Sequence, residues 1–188
     1  MSIQAPVLDL PSATELCSVI MDASGSNPSE GKDQPSTSPS QRDKATGKVP
    51  DILVIEDSKT DIFLIREALS SSQVSANVHV VRDGYAATNF FDAADADPNA
   101  PCPDIILLDL NLPMKSGAEV LQHLRESDRC KMARVLIISS SDAARDRASV
   151  EGLNAAGYFK KPTEYNEFMK LGPMVKALLD EFLQRKRS

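Results

Sequence analysis

The chain has no run approaching the roughly 20 consecutive apolar residues of a membrane-spanning helix. Its start, Met1 to Leu10, carries no basic segment ahead of an apolar stretch, so neither a secretory leader nor a membrane anchor is expected. Basic residues are not in excess. With 21 lysines and arginines against 27 acids, a formal net charge of −6, the chain lacks the electropositive surface that nucleic-acid binding requires. The two histidines, His79 and His123, have no cysteine or acid at ligand spacing and receive no catalytic or metal role. Cysteine is scarce too: Cys17, Cys102 and Cys130 are an odd count without paired or metal-ligand spacing. They are expected to be free thiols in a reducing compartment, which makes the cytoplasm the expected location.

What is present divides near residue 48. From Asp22 to Lys48 no aliphatic residue is larger than alanine, and serine, proline and glycine recur. Such a stretch cannot bury enough surface to offset its ordering entropy, so residues 1–48 are expected to be a disordered extension. Ahead of that tether, Ser12-Ala-Thr-Glu15 resembles a capping box followed by Leu16, Val19, Ile20 and Met21, which predicts one short helix near 13–21. The remaining 49–188 form the foldable domain. The 41% apolar content of the whole chain is enough for an ordinary core.

Within that domain, apolar runs at 52–55, 78–81, 105–108, 135–138 and 158–160 alternate with helical patterns. The helices open at Ser58-Lys-Thr-Asp61, near Tyr85, at Ser116-Gly-Ala-Glu119, near Asp142 and at Thr163, and Asp-Ala-Asp-Pro-Asn-Ala-Pro-Cys-Pro103 reads as a loop. Five strands alternating with five helices predict a three-layer α/β domain with a five-stranded parallel sheet. Right-handed crossovers then favour the flavodoxin-like strand order 2-1-3-4-5.

Three of these runs end on chemistry. Ile52-Leu53-Val54-Ile55 closes on Glu56-Asp57, Ile105-Ile106-Leu107-Leu108 on Asp109, and the fourth run on Ser139; Tyr158 and Lys161 follow. All fall at the carboxyl edge of one sheet, where ligand sites in open α/β sheets lie. A carboxylate that accepts a phosphoryl group needs a hard cation to offset the shared charge, and other carboxylates ligate such a cation. Asp109 is therefore the candidate nucleophile, with Glu56 and Asp57 as its metal partners. Taken singly, Asp57 or Ser58 would more often be a helix cap, Lys161-Pro162 a turn, Ser139 a surface hydroxyl and Tyr158 a core aromatic. Their joint order on consecutive strand edges favours the site.

The strings Ile-Leu-Val-Ile-Glu56-Asp57-Ser, Leu-Leu-Asp109-Leu-Asn-Leu-Pro113-Met-Lys-Ser-Gly117 and Gly157-Tyr158-Phe-Lys-Lys161-Pro162 resemble the receiver domain of two-component response regulators. The Asn-Leu-Pro motif, the lengthened preceding loop, Asp61-Ile-Phe-Leu and the Tyr165-to-Phe168 segment are similar to single-domain regulators paired with phytochrome-type histidine kinases. The resemblance implies direct Mg²⁺ ligation by Asp57 and Asp109, ligation by Glu56 through water, and a further oxygen from the backbone carbonyl of Asn111. It implies that Lys161 and Ser139 contact the phosphoryl oxygens, and it allows a cis bond before Pro162. Side chains alternate along a strand, so only one of Lys160 and Lys161 can face the site, and the family's Lys-Pro pairing selects Lys161.

The implied function is signal relay: a histidine kinase phosphorylates Asp109, the acyl phosphate later hydrolyses, and no turnover substrate is expected. No output domain follows residue 188 in this sequence, so the message is expected to be read from a surface change in which Ser139 moves and Tyr158 rotates inward. The last helix carries Phe168, Met169, Leu171, Met174, Val175, Leu178, Leu179, Phe182 and Leu183, more than one buried stripe requires. A homodimer through the fourth-helix to fifth-helix face is expected, as in the phytochrome-linked relatives. A haloacid-dehalogenase-type phosphatase would resemble the site but carries an Asp-x-Asp motif; here Asn111 stands at the second position, and an amide cannot protonate a leaving group.

Overall fold

A computed structural model describes residues 49–140, 150 and 152–187. The chain divides between Lys48 and Val49 into two units, and the described residues belong to the second. The expected tether, the short helix near 13–21 and Cys17 lie outside them, as does the helix expected near Asp142.

The five strands are β1 (Asp51–Ile55), β2 (Asn77–Val81), β3 (Ile105–Leu108), β4 (Arg134–Ser139) and β5 (Gly157–Lys160). They pair in parallel in the order β2-β1-β3-β4-β5, as the apolar runs predict. The helices are α1 (Lys59–Ser71), α2 (Gly84–Ala96), α3 (Gly117–Glu126), the single turn α4 (Tyr165–Phe168) and α5 (Leu171–Arg187).

Strand side chains alternate between faces, and the central strands carry unbroken apolar runs, Ile52–Ile55, Ile105–Leu108 and Val135–Ile138, because both faces are covered there. Leu53, Ile55, Ile106, Leu108, Val135 and Ile137 join Phe91 of α2 and Val120, Leu121 and Leu124 of α3. Ile52, Val54, Ile105, Leu107, Leu136 and Ile138 join Ile65, Ala68 and Leu69 of α1 with Leu171, Val175 and Leu179 of α5. Each such side chain contributes about 1.5–3 kcal/mol on burial, and the two layers hold the carboxyl edge of the sheet rigid.

Two corrections concern the ends of the domain. The last helix does not run unbroken from Thr163: α4 ends at Phe168, and α5 begins at Leu171. Pro173 has no N–H to donate to the Met169 carbonyl, and Gly172 N–H takes that acceptor at 3.2 Å. The apolar residues of this region are also largely consumed by the core. Phe168, Leu171, Val175 and Leu179 are buried, Met169, Leu178 and Leu183 pack half-buried against them, and Met174 is exposed.

Gly172 is where α5 crosses the end of α1. A Cβ there would collide with the Ala68 carbonyl and Ser72 Oγ, and Lys176 Nζ donates to the Ser72 carbonyl at 3.2 Å in the same crossing. Gly172→Ala should therefore destabilise the domain by about 1–3 kcal/mol through overpacking. Urea denaturation at equal slope checks this; an unchanged midpoint would mean that the crossing yields without cost.

The free-thiol expectation fails for two cysteines. Cys102, on the loop before β3, is disulfide-bonded to Cys130, on the loop before β4, with Cα atoms 5.6 Å apart. Their separation of 28 residues resembles no local motif, yet β3 and β4 are neighbours, so the loops entering them meet. Polar clamps hold the same loops: Asp95 accepts from Ser127 Oγ at 2.9 Å and from the backbone of Asp128 and Arg129 at 3.1 and 3.0 Å. Those bonds, the one from Arg129 N–H first, hold the Asp95 carboxyl below the usual carboxylate range. Arg129 in turn donates to the carbonyls of Ala94, Asp97 and Pro98.

Candidate functional site

The ladder runs one residue beyond the strand ends and carries the acidic groups with it. Glu56 N–H donates to the Val81 carbonyl and Asp109 N–H to the Ile55 carbonyl, both at 3.0 Å, while Lys161 N–H donates to the Ser139 carbonyl at 2.8 Å. Ile55 is level with Leu108, so Glu56 and Asp109 emerge side by side. Ser139 is buried at the end of β4. Tyr158 lies half-buried on β5 against the α2–α3 core layer. Lys160 points outward, exposed, and Lys161 turns into the site, as strand alternation predicts. Among the described residues no peptide bond is cis, so Lys161–Pro162 is trans and the cis alternative is corrected.

The Lys161 ammonium sits 2.7 Å from Glu56 Oε2, 2.8 Å from Asp61 Oδ2 and 2.6 Å from Asp109 Oδ2. An ammonium has three N–H donors, and each has a carboxylate. Burial alone would lower the Lys161 pKa; the bonds to Asp109, Asp61 and Glu56 reverse that and hold it above the ordinary lysine value. Asn111, exposed, donates its backbone N–H to Asp109 Oδ1 at 2.9 Å, which fixes the carboxylate from its other side.

Glu56, Asp57 and Asp109 offer oxygens lying within 4.8 Å of one another. With Asp61 the site gathers four carboxyl groups and one ammonium, and all the donors are hard oxygens. That set fits Mg²⁺ or Mn²⁺ rather than a thiophilic or imidazole-preferring metal. Asp57 is exposed and Glu56 and Asp109 are buried, so a cation could be approached from solvent and held against the sheet.

Glu56 registers the acidic excess. Burial pushes its carboxyl up to about 7, against the opposing pull of Lys161. The folded state therefore holds a proton that the unfolded chain releases near 4.5. The stability contributed by that proton is complete below about pH 4.5 and is lost as pH rises through about 7. The metal-free protein should lose about 1–3 kcal/mol across that window, while Glu56→Gln should flatten the profile and be the more stable at pH 8. Urea midpoints at pH 5 and pH 8 without divalent cation provide the measurement; parallel profiles for both proteins would exclude Glu56 as the titrating group.

The loop after Asp109 is held by close backbone contact. A Cβ on Gly117 would strike the Asp109 carbonyl and Leu110 Cα, and one on Gly84 would strike the Lys115 carbonyl. The Pro113 carbonyl accepts from both Gly84 and Lys115 N–H, at 3.2 and 2.9 Å. Lys115 Nζ also donates to Thr88 Oγ1 at 3.1 Å. These contacts fix the β3–α3 loop to the start of α2 and so fix Asp109. Pattern reasoning missed one member of the site, Asp61, which reads in the sequence as a capping acid; its position one helical turn after Asp57 was the available signal.

Residues 52–171 match the model of the response regulator receiver domain. This chain is a member of that family. Over 120 residues the receiver is 34% identical to the response regulator Rcp1 of Synechocystis sp. (strain ATCC 27184 / PCC 6803 / Kazusa), a match covering 64% of this chain and 82% of that protein. The structure of the phosphorylated cyanobacterial phytochrome response regulator RcpA superposes with a TM-score of 0.62 at 34% identity, covering 69% of this chain and 92% of the other. The Mn²⁺-bound form of Rcp1 superposes with a TM-score of 0.60 at 31% identity, covering 68% and 93%. Similarity to phytochrome-associated regulators, expected from the short strings around Asp61 and Asn111, is thus found in both sequence and fold. Among the described residues no helix is long and apolar enough to cross a membrane.

Proposed function

We propose that this receiver accepts a phosphoryl group on Asp109 from the phosphohistidine of a histidine kinase, of the phytochrome type. The observation that carries the reading is the Lys161 ammonium 2.6 Å from Asp109 Oδ2, beside three carboxylates grouped for a cation. Asp109 attacks phosphorus, the P–N bond to the donor imidazole breaks, and the electron pair leaves on the ring nitrogen. Asp57, Asp109 and the Asn111 carbonyl, with Glu56 acting through water, would hold Mg²⁺, which when bound would supply charge neutralisation to the transferring group. Lys161 places a point charge on the phosphoryl oxygens. The Ser139 hydroxyl donates to them and, in moving to do so, lets Tyr158 turn inward and remodel the face of the helix expected near Asp142, β5 and the last helix. The phosphoryl group biases that switch by its differential contacts in the two states.

The message then passes by contact. We assign residues 1–48 to a tether and 49–188 to the receiver, acting in the cytoplasm without nucleic acid, with homodimerisation through the face shared by the helix expected near Asp142 and the C-terminal helical region, in which Tyr165 and Met174 are exposed apolar groups. Incubation with acetyl phosphate and Mg²⁺ should give stoichiometric labelling that decays by hydrolysis. Sustained turnover of a phosphoester would instead identify a phosphatase, and no label at all a module that binds without phosphorylation.

A further inference from the structure

Asp61 is the one partner of Lys161 that stands outside the cation-ligating group. It occupies the third position of α1, where a capping box places an acid that reaches back to the N-cap. In α3 the equivalent Glu119 does so, accepting from Ser116 N–H at 2.8 Å. In α1 only half the box forms. Ser58 Oγ accepts from Asp61 N–H at 3.3 Å, but Ser58 N–H turns to Glu56 Oε1 at 3.2 Å, and the Asp61 carboxylate is committed to Lys161 Nζ at 2.8 Å. The first helix thus gives up a local cap bond in favour of a contact 100 residues away in sequence.

The consequence follows from competition for oxygens. A cation seated among Glu56, Asp57 and Asp109 draws on the same Glu56 and Asp109 carboxylates that the ammonium holds. Asp61 is not in that set, so it alone can keep its bond to Lys161 when the cation enters. Its side chain is 26% exposed, against 2% for Glu56 and 5% for Asp109, so it lies at the rim, on the solvent side of the buried pair. Without it, a divalent ion would displace the ammonium from both buried carboxylates and leave it with no carboxylate from this set.

We infer that Asp61 is a positioning residue for Lys161. It retains the ammonium at the rim of the site while the cation occupies the buried carboxylates, and so keeps Lys161 within reach of an incoming phosphoryl group. The use made of Lys161 rests on the phosphoryl-acceptor reading, whereas the coupling between Asp61 and cation binding does not. Asp61 therefore favours cation binding by acting through Lys161, not by ligation.

Calorimetric Mg²⁺ titration of the full chain tests this with Asp61→Asn, Lys161→Met and the double variant, since a double-mutant cycle isolates the coupled part. Asp61→Asn alone should weaken Mg²⁺ binding about five- to tenfold. In the Lys161→Met background the same change should alter affinity less than about twofold, because the residue through which Asp61 acts has gone. An equal loss in both backgrounds would show that Asp61 acts on the cation directly, and an unchanged affinity in the single variant would show no coupling; either overturns the inference. Labelling with acetyl phosphate is read in parallel. If wild-type protein takes no label while the cycle behaves as expected, the acceptor reading falls and the positioning role stands.

Discussion

Asp109→Asn should take no label from acetyl phosphate with Mg²⁺ while melting as a folded domain. Asp109 is the single acid that ends β3, it is 5% exposed, and its Oδ1 and Oδ2 are committed to Asn111 N–H and Lys161 Nζ. An amide of the same shape keeps an oxygen for one of those bonds but is no nucleophile at phosphorus. Three carboxylates converge on one ammonium, so removing one negative charge still leaves Lys161 with Glu56 and Asp61 and relieves repulsion in the metal-free protein. Labelling should fall to background, and thermal stability without cation should be equal to or above wild type. Label retained at wild-type stoichiometry would move the acceptor to another residue and end the assignment.

Lys161→Met should produce the largest loss of stability. The methionine preserves the apolar stem but strands Glu56 and Asp109, both nearly inaccessible, as uncompensated buried charges. Breaking one side of a buried pair costs about 3–5 kcal/mol. Protonation of Glu56, whose carboxyl is already pushed up to about 7, caps the loss at about 2–4 kcal/mol at pH 8 and makes it smaller at pH 5. Mg²⁺ should return most of that stability by mass action and should bind more tightly than to wild type, because its competitor for two carboxylates has gone. Denaturation at pH 8 with and without Mg²⁺ reads both effects. If Mg²⁺ failed to rescue the variant, the cation and the ammonium would not share ligands.

The sheet was legible because β1, β3 and β4 are buried on both faces, which writes them as unbroken apolar runs. The acids that follow were legible as residues of one sheet edge, and the register that sets Ile55 level with Leu108 brings Glu56 beside Asp109. The parts that escaped depend on contacts across the chain. Asp61 has the sequence signature of a cap, and only the arrival of Lys161 from beyond β5 diverts its carboxylate. The cysteine pair lacks a local spacing because neighbouring parallel strands, not nearby sequence, bring the two loops together. The last helix broke where one missing N–H at Pro173 outweighed a continuous helical pattern, a competition that periodicity does not weigh.

The Cys102–Cys130 bond has a consequence for the unfolded chain. The ring it closes contains all of β3, Asp109, the Gly117 turn and α3. Cross-linking a loop of that length removes conformational freedom worth about 3–4 kcal/mol from the denatured ensemble in the chain-entropy model. The thiol and disulfide forms of this receiver would then share one carboxylate cluster and differ in how often the domain opens. Its susceptibility to proteolysis would follow the oxidation state of two residues at the end of the sheet opposite Asp109.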